Sequence, residues 1–243
     1  MSLKSTLATV VLSASMLSLV SCGDNSSKNK STSTSKVERQ ETQGLYRASL
    51  TSMNASVAGT PSGVVTFNIE GDEVTATIDM EGAPAQVVHM QSIRIGKGCA
   101  DVAADKNADG FIDITEAEAV SGRVFIPLDS DINAQVAGSN YPVAHSNGKY
   151  RYNEAASLTS MIADIFAPDE NAADSMVNLE AGQELNFSGR TVLIQGVAKS
   201  SALPETVATV DGQTADMTLP IACGVLTRVE STDPVVVGNG GKE

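Results

Sequence analysis

Apolar and polar residues alternate at period two through much of the middle of this chain. Val64-Val65-Thr66-Phe67-Asn68-Ile69 and Glu73-Val74-Thr75-Ala76-Thr77-Ile78 flank Gly71-Asp72, which predicts two half-buried strands joined by a hairpin. Further strands are predicted at 85–95, 122–128, 148–153, 190–197 and 216–228, with 46–51 as an additional candidate. Many of these stretches are β-branched, and Gly, Pro, Asn and Asp separate them. The fold class is therefore mainly β, an antiparallel sandwich or barrel. One stretch has helical spacing instead: Leu158, Met161, Ile162, Ile165 and Phe166, ending before Pro168. It predicts a short helix whose apolar stripe packs into the core.

The two ends of the chain break this pattern. Lys4 precedes an apolar run over residues 7–20, and Leu19-Val20-Ser21-Cys22 follows the order aliphatic, small or aliphatic, small, cysteine. This resembles the export signal and lipobox of bacterial lipoproteins, with residues 1–21 removed and Cys22 lipidated. The run is shorter than the ~20 residues of a membrane span. Residues 23–44 hold Val37 as their one large apolar side chain and read as a flexible tether. By the sorting pattern of such lipoproteins, Gly23 does not favour retention in the inner membrane. The expected location is the cell envelope, at the outer membrane, facing the periplasm or the exterior. Residues 231–243 read as a frayed tail, leaving 45–230 as one β domain of a size that supports a core.

Charge narrows the partners. Of 16 basic and 29 acidic side chains, five and three lie before residue 45, leaving a net charge of −15 on residues 45–243. Such a field repels polyphosphates, so no nucleic-acid partner is expected; cations are the natural counterpart. Tryptophan is absent and aromatics make up 4% of the chain, which disfavours a stacking site. Neither GxSxG nor HExxH occurs, so a hydrolase has no support. With Cys22 set aside, Cys99 and Cys223 remain, and in an oxidising compartment a pair is most simply a disulfide.

The sharpest chemistry lies in Asp105-Lys106-Asn107-Ala108-Asp109-Gly110-Phe111-Ile112-Asp113-Ile114-Thr115-Glu116. These residues resemble the EF-hand loop at each diagnostic place. Calcium takes about six to eight hard oxygens. Asp105, Asn107 and Asp109 would offer side-chain oxygens, Phe111 its carbonyl, Asp113 a contact through water, and Glu116 both carboxylate oxygens. Gly110 permits the sharp turn, and Ile112 would hold the loop against the body. Long flanking helices are not predicted, since Gly96 and Gly98 lie upstream and Gly122 closely follows. No second loop of this pattern exists in the chain. The region 99–122 therefore reads as a structural calcium clip, not a switch.

Residues 63–99 resemble the first half of the Cu,Zn superoxide dismutase family, where a GxVxF strand and its hairpin partner lead to an HxH copper motif and then a disulfide cysteine. Gly189-Arg190-Thr191-Val192-Leu193-Ile194-Gln195 is similar to the family's GRAVVVH strand. Leu219-Pro220-Ile221-Ala222-Cys223-Gly224-Val225-Leu226 is similar to its RLACGVI strand. Residues 100–185 match poorly. The resemblance implies a Greek-key β-barrel or sandwich in which Cys99–Cys223 ties a long loop to the last strand. The copper chemistry does not carry over: His89 matches the first histidine of HxH, but Gln91 and Gln195 stand where later histidines belong, and Pro220 replaces the anion-guiding arginine. His89, Gln91 and Gln195 are then vestigial copper-site positions, expected to be hydrogen-bonded polar residues. His145 is expected in a solvent-exposed turn. In the family, zinc orders the long loop that follows the first cysteine; here the EF-like loop occupies that region.

These readings predict a non-enzymatic, calcium-binding envelope lipoprotein, its β domain a structural or binding module for an unknown protein or surface partner. The alternative is a residual copper-binding or superoxide dismutase-type enzyme using His89, helped by Met90 and His145, since methionine can favour Cu(I).

Overall fold

The structure, a computed structural model, describes residues 42–133, 140–166, 179 and 185–230. The signal segment, the Cys22 lipidation site, residues 23–41 of the tether and the 231–243 tail lie outside the described residues. Among the described residues, nine strands form one antiparallel, curled sheet. They are β1 (Gly44–Ser52), β2 (Ser62–Glu70), β3 (Glu73–Glu81), β4 (Gln91–Arg94), β5 (Val124–Pro127), β6 (Tyr150–Ser157), β7 (Thr191–Gln195), β8 (Pro220–Val225) and β9 (Thr227–Arg228). Their spatial order is β5-β4-β7-β8-β1-β2-β3-β6, with β9 added beside β1. Short α-helices among the described residues decorate the sheet: α1 (Ala55–Ala58), α2 (Ile114–Ser121), α3 (Leu158–Phe166) and α4 (Ala215–Thr218).

The predicted hairpin is β2–β3, paired in register from Ser62↔Glu81 to Glu70↔Glu73. Its alternation separates the faces as the sequence pattern requires: Val65, Phe67, Ile69, Val74, Ala76, Ile78 and Met80 are buried. The turn residue Asp72 accepts hydrogen bonds from Ser157 Oγ (2.8 Å) and Thr159 N (2.9 Å), which starts α3 where β6 ends. Leu158, Met161 and Ile165 of α3 then face the core.

β1 makes the sheet curl. It pairs with β2 along most of its length, with β9 at Tyr46 and Arg47, and with β8 at Thr51 and Ser52. Phe187 fills the enclosed space, its ring centroid 5.9 Å from Tyr46, 4.8 Å from Phe67 and 6.3 Å from Phe125. The two ends of the strand order approach through side chains, where Tyr152 Oη donates to the Asp129 carbonyl at 2.7 Å.

Two strand predictions need correction. Of 85–95 only Gln91–Arg94 is a named strand, because the preceding backbone bonds to the 142–144 segment: Gln86 N to Ala144 O and His89 N to Pro142 O, both 2.9 Å. Within 216–228, Ala215–Thr218 is helical and the strand begins at Pro220. The central strands β4 and β7 are buried on both faces, so they lack the alternation that marks a half-exposed strand. No helix among the described residues is long and apolar enough to cross a membrane.

Candidate metal centre

The Cys99–Cys223 disulfide spans 124 residues and fixes the start of the acidic loop to β8, with its Cα atoms 5.8 Å apart. A short 3-10 turn, Val102–Ala104, follows it, capped by Asp101, whose carboxylate accepts the Ala103 N–H at 2.9 Å. The chain then enters 105–116 and leaves through α2. Asp113 is the cap of that helix. Its Oδ1 accepts the Thr115 and Glu116 N–H groups (2.8 and 3.0 Å), while Glu116 Oε2 accepts the Asp113 N–H at 3.1 Å. This reciprocal capping box satisfies donors that a helix start leaves unpaired. Ile114 and Ala117 of α2 pack with Met53, Ala104, Leu193 and Cys223 in a small apolar cluster. One residue on from Ala117, Glu118 pairs with the buried Arg94 at 2.7 Å; burial raises the Glu118 pKa, and Arg94 opposes that shift.

The loop is wound around its own carboxylates. Asp105 Oδ2 accepts the Gly110 N–H at 3.0 Å, Asn107 Oδ1 the Asp109 N–H at 3.0 Å, and Asp109 Oδ1 the Phe111 N–H at 2.9 Å. Glu116 Oε1 reaches back to the Lys106 N–H at 2.6 Å. Gly110 has φ +89°, a conformation in which a side chain would be strained. Three bonds tie the loop to the 206–208 segment: Thr206 Oγ1 donates to Asp109 Oδ2 at 2.6 Å, Asn107 Nδ2 to Thr206 O at 3.2 Å, and Ala208 N to Asp113 Oδ2 at 3.0 Å. The Thr206 Oγ1 bond is the main cause holding the Asp109 carboxyl below its ordinary pKa. Sequence reasoning missed Thr206, Ala208 and Asn54, the last of which binds Ile112. They lie on distant segments and carry no motif.

The donor set suits a hard cation: Asp105, Asn107, Asp109, Phe111, Asp113 and Glu116 offer only oxygen ligands, the kind calcium selects. None of the ion pairs among the described residues engages the four carboxylates of 105–116. Even Lys106, inside the loop, turns its Nζ to the Ala103 carbonyl at 2.7 Å. The side chains do not converge on a single point here; among the described residues no three His, Cys, Asp or Glu side chains form a metal-holding group. Backbone N–H groups occupy the carboxylates in this arrangement. Each carboxylate oxygen retains further lone-pair capacity, so the residues fit calcium by chemistry and by uncompensated charge.

His89, Gln91 and Gln195 are brought together, away from this loop. His89 is fully buried, with Nδ1 3.1 Å from Gln195 O and Nε2 3.1 Å from Pro84 O. Its ring stacks on Tyr150 at 5.4 Å, and Tyr150 Oη donates to Gln91 Oε1 at 3.1 Å. Gln91 Nε2 donates to Leu128 O, and Gln195 Nε2 to Thr218 O. Burial lowers the His89 pKa, and the two carbonyls only partly offset it. His145 is exposed beside the 146–148 turn.

Compared with known proteins, the chain matches no protein-family model and has no significant match among curated protein sequences.

Proposed function

We propose that this chain is a non-enzymatic, calcium-binding lipoprotein of the cell envelope, its β domain a structural or binding module held out from the membrane by lipidated Cys22. The observation that carries the calcium reading is the loop itself: four carboxylates in twelve residues, none of them paired to a cationic side chain among the described residues. Asp105, Asn107, Asp109, the Phe111 carbonyl and Glu116 would hold the ion, with Asp113 acting through water. Bound calcium supplies the positive charge this cluster lacks. The protein's own residues then join three parts of the fold: the disulfide-tied entry, helix α2 and the 206–208 segment. Such a clip stabilises a surface and does not open a groove.

The strand order supports a superoxide dismutase-like domain. A Greek key places a returning fourth strand beside the first of three consecutive ones. Here β7 lies beside β4, and β5 and β6, the strands at opposite ends of the order, are linked by the hydrogen bond from Tyr152 to the Asp129 carbonyl. In the copper reading, His89 would need a free ring nitrogen and nearby partners. Both of its nitrogens face carbonyls, and Gln91 and Gln195 spend their amides on hydrogen bonds. A buried polar network therefore replaces the copper cage.

The test is calcium titration of ion-free protein, followed by melting. Wild type should show one saturable site and a calcium-dependent rise in Tm; Asp105→Ala with Glu116→Ala should lose both. Equal melting of the two proteins with and without calcium would remove the loop from function. Stoichiometric copper in protein purified without added metal would sink the non-enzymatic reading.

A further inference from the structure

We propose that Asn54 is the positioning residue of the calcium loop, aiming the Phe111 carbonyl by holding both backbone groups of Ile112 and so setting the loop's affinity. The inference rests on the calcium reading above. Asn54 follows β1 and caps α1 with a left-handed backbone, φ 49° and ψ 45°, which Asn adopts more readily than most residues. Its carbonyl accepts the N–H groups of Val57 and Ala58 at 3.1 and 3.0 Å. With the backbone held, the carboxamide reaches the loop. Oδ1 accepts the Ile112 N–H at 2.8 Å, and Nδ2 donates to Ile112 O and to Pro220 O, both at 2.9 Å. Pro220 opens β8, the strand that carries Cys223. One side chain thus references the loop to the sheet at a point independent of the disulfide.

The consequence for the ligand follows from peptide geometry. Phe111 C=O and Ile112 N–H belong to one planar trans peptide and point in opposite directions; the described chain has no cis bond. An acceptor on the Ile112 N–H therefore holds the Phe111 carbonyl directed away from Asn54. That carbonyl cannot swing toward Asn54 unless the amide bonds to Ile112 break. The loop has no second copy to brace it, and the Asn54 carboxamide takes over that bracing. Holding a ligand in place before the ion arrives removes an ordering cost from binding.

Asn54→Gly in the full chain tests this, because glycine keeps the left-handed backbone without penalty and removes all three side-chain bonds. Calorimetric titration should give a calcium Kd weaker by about 10–100-fold, the usual cost of losing a ligand-orienting partner. The calcium-induced rise in Tm should shrink accordingly. A merely structural residue would lower Tm equally with and without calcium and leave Kd unchanged; that result overturns the inference while the calcium reading stands. Wild type without saturable calcium binding overturns both. Independently of how the variant folds, the Ile112 amide of ion-free wild type should exchange slowly with solvent. Exchange at the rate of an unprotected amide overturns the inference.

Discussion

Asp113→Ala should destabilise the ion-free protein by about 2–3 kcal/mol, although Asp113 would contact calcium only through water. Asp113 is 2% exposed and its carboxylate serves three backbone donors: Thr115 N (2.8 Å), Glu116 N (3.0 Å) and Ala208 N (3.0 Å). Loss of an N-cap costs typically ~1 kcal/mol and up to about 2. The Ala208 N–H is partly buried, and leaving such a donor without its partner adds about 1 kcal/mol. For a domain of this size each kcal/mol moves Tm by about 2–4 °C, so the expected drop is roughly 4–12 °C. The assay is urea and thermal unfolding in chelator, comparing wild type, Asp113→Ala and Asp113→Asn. The asparagine variant keeps an acceptor oxygen and should recover part of the loss. An Asp113→Ala protein within about 0.5 kcal/mol of wild type, the range of an ordinary surface change, would refute the assignment of Asp113 as the helix cap and the clasp of the 206–208 segment.

Two further outcomes follow from the same structure. Reducing Cys99–Cys223 opens a loop of 124 residues and should lower stability by up to about 4–5 kcal/mol; unchanged urea midpoints with and without dithiothreitol would contradict a structural disulfide. His89 has a folded-state pKa depressed by burial, so the unfolded chain binds its proton more readily and stability should rise with pH between the folded pKa and about 6.5. His89→Gln should flatten that part of the stability–pH profile, and an unchanged profile would show that His89 does not titrate there.

Much of the candidate site was legible because the donor pattern of a cation-binding loop is a local matter. Twelve consecutive residues carry the donor types, and Gly110 carries the turn. The helix cap was less visible: the motif presents Asp113 and Glu116 as candidate ligands, while the folded chain uses them as a capping box. Asn54, Thr206 and Ala208 left no trace in sequence, because each meets the loop across a large chain separation. The same division runs through the fold. β2 and β3, with one face buried, declare themselves by alternation; β4 and β7, buried on both faces, do not. The 85–90 stretch looks like the start of a strand, yet its backbone finds partners in the 142–144 segment.

The sequence by itself determined the mainly β character, the β2–β3 hairpin, the helix at 158–166, the acidic balance and the oxygen-rich loop. Each depends on neighbours within a few turns or strands' length, where period and residue type are sufficient. Only the tertiary structure decided that β1 touches both β2 and β8 and that His89, Gln91 and Gln195 close into one hydrogen-bonded interior, whereas the Cys99–Cys223 bond was already expected from a lone pair of cysteines. The fold also placed a single carboxamide, Asn54, on both backbone groups of Ile112. Those contacts arise from how the sheet curls, and a linear pattern carries no record of which distant polar group will be left facing another.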